Sequence, residues 1–224
     1  MKTAPKILVS QLGEFVASGV VLFLIAGTFN YWQAWVFLVA FVLATWIPTI
    51  IVLRTNPTVL ERRTRGGPTT ETRVVQKVVI AGLYLSLMVL LVVSALDHRF
   101  GWSRVPTAIC LVGDLLVAVG LGVVMLVVIQ NRYAAVTVRV EEGQKLASTG
   151  LYGVVRHPMY TGNVITMAGI PLALGSYWGL VFVAPGLLVL ALRIHDEEKL
   201  LHKELQGYRE YTQKVRYRLL PIIW

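Results

Sequence analysis

Charged residues are scarce in this sequence, and cysteine is almost absent. Asp, Glu, Lys and Arg make up 15% of the 224 residues, whereas soluble domains contain roughly 25%, so an ordinary soluble domain is excluded. The single cysteine, Cys110, leaves no disulfide framework and no thiolate metal site. Walker-type and dinucleotide-binding glycine spacings are missing too. No HxxxH or HExxH motif occurs among the following residues, so no metal site is expected: His157, His195, His202, Glu197 and Glu198.

Long apolar runs dominate what is present. The chain is 56% hydrophobic, its mean hydropathy is +0.67, and apolar runs of about 18 residues are typical of membrane-spanning helices. We predict an all-α polytopic membrane bundle of about six transmembrane helices, at 12–29, 34–53, 74–96, 106–130, 158–174 and 178–192, with the last two as a hairpin. The run 158–174 has only 17 residues, so it is either a full span or a tilted or re-entrant segment.

The basic residues lie in the loops between the apolar runs. The net charge is +9, and an odd-even assignment of loops places 19 of the 21 Lys and Arg residues on one side of the membrane, against Arg99 and Arg104 on the other. The positive-inside rule then predicts cytoplasmic N- and C-termini, and the start of the chain shows no cleavage pattern of a signal peptide. This distribution suits an anionic bilayer surface, so no nucleic-acid partner is expected.

The chain divides into two regions of different character. Residues 1–130 form the predicted four-helix transmembrane region, with a basic cytoplasmic loop at 54–73. Residues 131–224 form a polar connector, the hairpin and a cytoplasmic tail, and they carry most of the chemically capable side chains. In the first region Asp114 is a carboxylate inside an apolar run, which makes it a functional suspect. Because it is alone, we expect it to pair with a polar group of a neighbouring helix.

Two polar clusters flank the predicted hairpin. The first span of the hairpin follows Arg156 and His157, and the second ends at Arg193, one helical turn before Glu197. A hairpin brings these ends together, so one cytoplasmic mouth is predicted from Arg156, His157, Tyr160, Arg193, Glu197 and Glu198. The alternative is a solvated helix held by ion pairs. Arg156 is expected to anchor to lipid headgroups.

The connector and the tail each leave two interpretations open. Glycines at 143 and 150 allow the backbone to approach a ligand, or Thr149 caps a helix. Tyrosines and arginines alternate in the tail, where they are either interfacial anchors or a lid over a site.

The run Gly150-Leu-Tyr-Gly-Val-Val-Arg-His-Pro-Met-Tyr-Thr-Gly162, then Arg193-x-x-x-Glu197-Glu198 and Gly207-Tyr208-x-x-Tyr211, resembles the isoprenylcysteine carboxyl methyltransferase family. The likeness extends over about 131–221, and the loop at 56–63 resembles bacterial members. It implies a membrane methyltransferase that uses S-adenosylmethionine, yields S-adenosylhomocysteine and binds the cofactor on the cytoplasmic side. It further implies cofactor contacts by Gln144, Lys145, Leu146, Ala147, Tyr152, His157, Pro158, Met159, Tyr160 and Glu197. It assigns Arg193 to the substrate carboxylate, and further candidate site residues are Glu198, Tyr208 and Tyr211.

The chemistry of these side chains agrees with the resemblance. Glu197 can pair the cofactor ammonium and His157 its carboxylate, while Tyr152 and Tyr160 offer ring faces to the adenine or the sulfonium. Arg193 can hold a carboxylate through two hydrogen bonds. Rate would then come from in-line alignment in a water-poor site. A lipophilic acceptor would enter from the bilayer through a groove of the first four spans.

Three functions are therefore weighed. The first is methylation of a lipophilic carboxylate, of the isoprenylcysteine type, in a prokaryotic cytoplasmic membrane. The second is methylation of a lipid amine, such as a phospholipid headgroup. The third is a non-enzymatic membrane protein that binds anionic lipid through its basic loops.

Overall fold

The computed structural model describes residues 3–60, 71, 73–131, 133, 137, 140, 143–221, 223 and 224, and the described chain is helical without strands. Most of the basic loop, at 61–70 and 72, lies outside these residues. The helices are α1 (Thr3–Ala26), α2 (Trp32–Thr55), α3 (Val74–Phe100), α4 (Thr107–Gln130), a 3-10 turn (Gly150–Gly153), α5 (Pro158–Ala173), α6 (Trp178–Val181), α7 (Val183–Glu204) and α8 (Tyr208–Lys214). The all-α membrane fold is thus confirmed.

Five stretches of described helix are long and apolar enough to cross a membrane. They are Ala4–Ala26, Trp32–Thr55, Val74–Phe100, Thr107–Gln130 and Trp178–Glu204. The last one is interrupted near Phe182, where α6 ends and α7 begins, and it continues into the charged tail as one helix. The predicted sixth span, α5, has 16 residues, or about 24 Å of helix, against a hydrocarbon thickness of about 30 Å.

The short helix α5 nevertheless extends from one end of the bundle to the other. At its start, His157 contacts Glu198 near the end of α7. Just after its end, the carbonyl of Leu174 accepts a hydrogen bond of 2.7 Å from the hydroxyl of Tyr31, beside the start of α2. We call the first of these the connector end of the bundle and the second the turn end. The helix therefore covers the height of the bundle despite its length.

Glycines allow α5 to pack closely on α4, rather than mainly on its hairpin partner α7. A Cβ at Gly120 would lie 2.6 Å from the carbonyl oxygen of Gly162, and one at Gly169 would lie 2.9 Å from that of Gly113. The glycines are seven residues apart on each helix, so they share one face and let the two backbones meet.

We expect Gly120→Ala to lower the thermal unfolding midpoint in detergent. The expected loss in the free energy of unfolding is about 1–3 kcal/mol, the usual cost of overpacking. Gly122→Ala is the matched control, because a Cβ there meets nothing within 4 Å and alanine favours a helix. Equal midpoints for the two variants would contradict this packing.

A buried carboxylate ties the turn end together. Asp97, 1% exposed, accepts hydrogen bonds of 2.6 Å from the amide and the hydroxyl of Ser103 and from the hydroxyl of Ser176. These contacts join the end of α3 to the turn that follows α5. These three donors satisfy the buried carboxylate, so Asp97 stabilises the fold at this end.

The prediction for Asp114 is wrong. Its side chain is buried, but neither carboxylate oxygen has a hydrogen-bond partner within the described part of the chain. None of the described residues supplies the expected polar group on a neighbouring helix.

Candidate functional site

A cavity opens at the connector end, between the start of α5, the end of α7, the connector and α8. Its empty volume is about 810 Å³, a figure that includes the part open to solvent. All ten residues that the family resemblance assigns to the cofactor line it: Gln144, Lys145, Leu146, Ala147, Tyr152, His157, Pro158, Met159, Tyr160 and Glu197. Tyr208 and Tyr211 line it as well. Segments far apart in the sequence thus form one concave surface.

The start of α5 is fixed by local sequence and by the tail. His157 is the N-cap and Pro158 follows at the first helical position, where the missing amide hydrogen of proline costs nothing. The backbone amides of Arg156 and His157 donate to the carbonyls of Tyr217 and Arg218, each at 2.9 Å. The end of the tail therefore holds the turn that presents His157 to the cavity.

The Glu198 carboxylate contacts three cationic or titratable side chains beside the cavity. It lies 3.3 Å from Nε2 of His157 and accepts two contacts of 2.9 Å from the guanidinium of Arg218. Nε of Arg156 lies 3.2 Å from the carboxylate, within ion-pair distance but without hydrogen-bond alignment. The expectation that Arg156 anchors to headgroups is wrong, because its side chain is 9% exposed and paired inside the protein.

Tyr160 connects Arg193 to Glu197 at the wall of the cavity. Nε of Arg193 donates to the Tyr160 hydroxyl at 2.7 Å, and that hydroxyl donates to Oε2 of Glu197 at 2.5 Å. Arg193 and Glu197 are therefore close to each other, as predicted, and the hydroxyl of Tyr160 lies between their side chains. Arg193 is 4% exposed and lies behind Tyr160, outside the cavity lining.

Tyr152 is held by groups from both sides of the connector. The amide of Asn131 donates to its hydroxyl at 3.0 Å, and the hydroxyl of Tyr211 donates to its carbonyl at 2.7 Å. Burial raises the pKa of Tyr152 to about 12, with a further increase from the charge of Glu197. The phenol therefore keeps its proton at neutral pH and can donate it to a ligand.

Two of the tail tyrosines, Tyr208 and Tyr211, are buried beside the cavity and are not interfacial anchors. Tyr208 and Tyr211 are 3% and 4% exposed, and they pack with Leu146 of the connector. Burial raises the pKa of both phenols, and the charge of Glu198 adds to this at Tyr208. Both remain hydrogen-bond donors.

Among the cavity-lining residues, two buried hydroxyl oxygens have no hydrogen-bond partner in the described part of the chain. They are the hydroxyl oxygens of Thr137 and Tyr208, for which no described group is within hydrogen-bond distance. Buried polar atoms are normally satisfied, so such atoms beside a cavity indicate a ligand or ordered water.

The alternative that the Thr149 side chain caps a helix is wrong. Thr149 precedes the 3-10 turn, but its side chain makes no capping hydrogen bond to that turn.

Sequence reasoning missed several residues of this region: Asn131, Tyr133, Thr137, Leu201 and Leu205 in the lining, and Gln76 behind it. Gln76 is a fully buried amide in an apolar helix. Asp114 was singled out because a polar side chain within an apolar run needs a partner, and the same rule applies to Gln76. Nothing in the sequence marks Leu201 and Leu205, since apolar residues on an amphipathic helix are common.

The part of the chain that supplies most of the cavity lining matches the model of a known family. Residues 108–207 match the model of the family described as phospholipid methyltransferase. The match includes α4 except its first residue, the described connector, and the whole of α5, α6 and α7, and it ends at the residue before α8. This family includes isoprenylcysteine carboxyl methyltransferases, so the match supports a membrane methyltransferase.

The chain is also similar to curated sterol reductases over part of its length. It is 34% identical to a Delta(14)-sterol reductase of Mus musculus over 39% of this chain and 22% of that protein. It is 35% identical to a probable 7-dehydrocholesterol reductase of Acanthamoeba polyphaga mimivirus, over 36% of this chain and 19% of that one. A 7-dehydrocholesterol reductase of Danio rerio is 33% identical over 36% and 17%. The chain therefore spans about a fifth of the length of these relatives.

Proposed function

We propose that this protein is an S-adenosylmethionine-dependent methyltransferase that acts within the membrane on a lipophilic acceptor. The observation that carries the proposal is the cavity at the connector end, where all ten residues assigned to the cofactor meet. The family match over 108–207 supports the same reaction class.

The residues of the cavity suit the polar parts of S-adenosylmethionine. Glu197 offers a carboxylate to the ammonium, and His157 and Lys145 offer nitrogen donors to the carboxylate. The unpaired hydroxyls of Thr137 and Tyr208 can satisfy ribose or adenine groups. When bound, the cofactor supplies an electrophilic methyl group on its sulfonium. The protein would contribute alignment and exclusion of water, the latter through α8.

The acceptor is proposed to reach the cavity from the bilayer. Met159 lines the cavity and also packs against an apolar cluster of Val52, Val59, Leu60 and Val128. That cluster joins the first region of the chain to the site, which supports an acceptor groove there. The resemblance favours a carboxylate acceptor, while the family description makes a phospholipid amine the first alternative.

The orientation and the location are proposals as well. The charge asymmetry of the loops supports cytoplasmic termini, and with them a cavity on the cytoplasmic side. A prokaryotic cytoplasmic membrane stays a prediction from the resemblance. The role of Arg193 toward a substrate carboxylate also stays a prediction, and its contacts support a different role that is argued below.

A second candidate function is reduction of a lipophilic substrate. The observation that favours it is the 34% identity over 95 residues to a protein named as a sterol reductase. A reductase needs a hydride donor such as a reduced nicotinamide, so the two candidates differ in the cofactor that the cavity binds.

Titration calorimetry of the detergent-solubilised protein distinguishes the candidates. We expect binding of S-adenosylhomocysteine and S-adenosylmethionine and none of NADPH, followed by transfer of a labelled methyl group to lipids extracted from the host membrane. Binding of NADPH alone would replace the proposal with the reductase. Binding of neither, at concentrations well above ordinary cofactor levels, would contradict both.

A further inference from the structure

A buried amide joins helix α3 to helix α7 next to the cavity. Gln76 is fully buried, and its Oε1 accepts a hydrogen bond of 3.1 Å from Nη1 of Arg193. Its Nε2 donates to Oδ2 of Asp196. The oxygen of the amide must face the cation and the nitrogen must face the carboxylate, so only one orientation of the amide satisfies both neighbours.

Asp196 is itself held in place from the opposite side. Its Oδ1 lies 2.7 Å from Nη2 of Arg73, which immediately precedes α3. Asp196 therefore bridges a cation and an amide donor, and both of these come from the start of α3. The result is a chain of hydrogen bonds in the order Arg73, Asp196, Gln76, Arg193.

The chain continues to the cavity through one phenol. Because the Tyr160 oxygen accepts from Arg193, the single hydroxyl proton is left for the Glu197 carboxylate. Arg193 thus sets the direction in which Tyr160 donates. Tyr160 and Glu197 line the cavity, whereas Gln76, Asp196 and Arg193 are absent from its described lining. The hydrogen bonds described above connect these three residues to the cavity through Tyr160.

We propose that Gln76 and Asp196 are positioning residues of the cofactor site, which act through Arg193 to fix Tyr160 and Glu197. The inference rests on the proposed function for the identity of the ligand. It assigns the guanidinium of Arg193 to internal hydrogen bonds that orient the Glu197 carboxylate. Buried hydrogen bonds of this kind polarise one another, so the loss of a distant member is transmitted along the chain.

The test exchanges the amide and the carboxylate. Gln76→Glu alone removes the donor to Asp196, and Asp196→Asn alone places two amide donors against each other while Arg73 keeps its acceptor. Each single variant should weaken S-adenosylhomocysteine binding about tenfold, the effect of losing a hydrogen bond to a charged group. The double variant Gln76→Glu with Asp196→Asn recreates every donor and acceptor, so its affinity should return to within about threefold of wild type.

A variant at the turn end distinguishes a specific effect on cofactor affinity from a general loss of stability. Asp97→Ala removes a buried carboxylate on the same helix, 21 positions after Gln76, or about 30 Å along α3. It should lower the thermal midpoint and leave the affinity unchanged. Unchanged affinity in the Gln76→Glu and Asp196→Asn single variants, or no recovery in the double variant, would overturn the positioning role while leaving the proposed function intact.

A measurement without ligand keeps the inference independent of the cofactor's identity. Gln76→Leu and Tyr160→Phe both remove hydrogen bonds to Arg193, and in the described structure these two side chains meet through Arg193 without a direct hydrogen bond to each other. Their effects on the thermal midpoint should be non-additive if the chain acts as a unit. If wild type binds no S-adenosylhomocysteine, the proposed function fails. Non-additivity then still supports the chain, and additive effects overturn it.

Discussion

Replacement of Glu197 by glutamine should weaken binding of S-adenosylhomocysteine about 10- to 100-fold. The carboxylate lines the proposed cofactor cavity, and glutamine removes its charge while keeping its shape. A hydrogen bond between a charged donor and a charged acceptor contributes about 1.5–3 kcal/mol, which corresponds to this range. The Tyr160 hydroxyl can still donate to the amide oxygen, so the fold should persist. Calorimetry in detergent measures the change in affinity.

Glu204→Gln is the matched control for this variant. Glu204 ends the same helix, α7, and it is exposed, so its replacement should leave the affinity unchanged. If Glu197→Gln binds S-adenosylhomocysteine as tightly as wild type does, the assignment of the cofactor ammonium to this carboxylate is wrong. If both variants bind weakly, the effect is one of overall charge.

Replacement of Glu198 by glutamine should destabilise the protein more than any other single change near the cavity. Three groups depend on this carboxylate, which is 5% exposed: Arg156, His157 and Arg218. Removing one partner of a buried ion pair costs about 3–5 kcal/mol, because the remaining charge is left buried without compensation. For a chain of this size we expect the thermal midpoint to fall by about 10 °C.

The same variant should release the tail, since Arg218 connects it to α7 through Glu198. Trypsin should then cleave faster after Arg209, Lys214 and Arg216, which the structure places on or next to α8. Glu210→Gln, an exposed glutamate on α8, is the control for both measurements. A wild-type midpoint and a wild-type cleavage rate for Glu198→Gln would show that the three contacts contribute little.

The candidate site was predictable where its residues are close in sequence. The run 144–160 and the pair Glu197 and Glu198 carry recognisable motifs, and a turn between apolar runs places them at one end of the bundle. Their individual partners were not predictable. Arg156 was expected at lipid headgroups, but it pairs with Glu198, and Gln76 was not singled out at all. Each of these contacts joins residues more than 40 positions apart, and no local pattern encodes such a pairing.

The sequence by itself determined the helical membrane class, the ends of most helices to within a few residues, and the concentration of polar groups in the last third. These properties follow from hydropathy, helix length and loop charge, which are additive along the chain. Only the tertiary structure decided that α5, at 16 residues, covers the height of the bundle and packs on α4. It likewise decided that Tyr160 stands between Arg193 and Glu197. The physical reason is that close backbone approach and hydrogen-bond geometry depend on which faces of distant helices meet, and this is a property of the whole bundle.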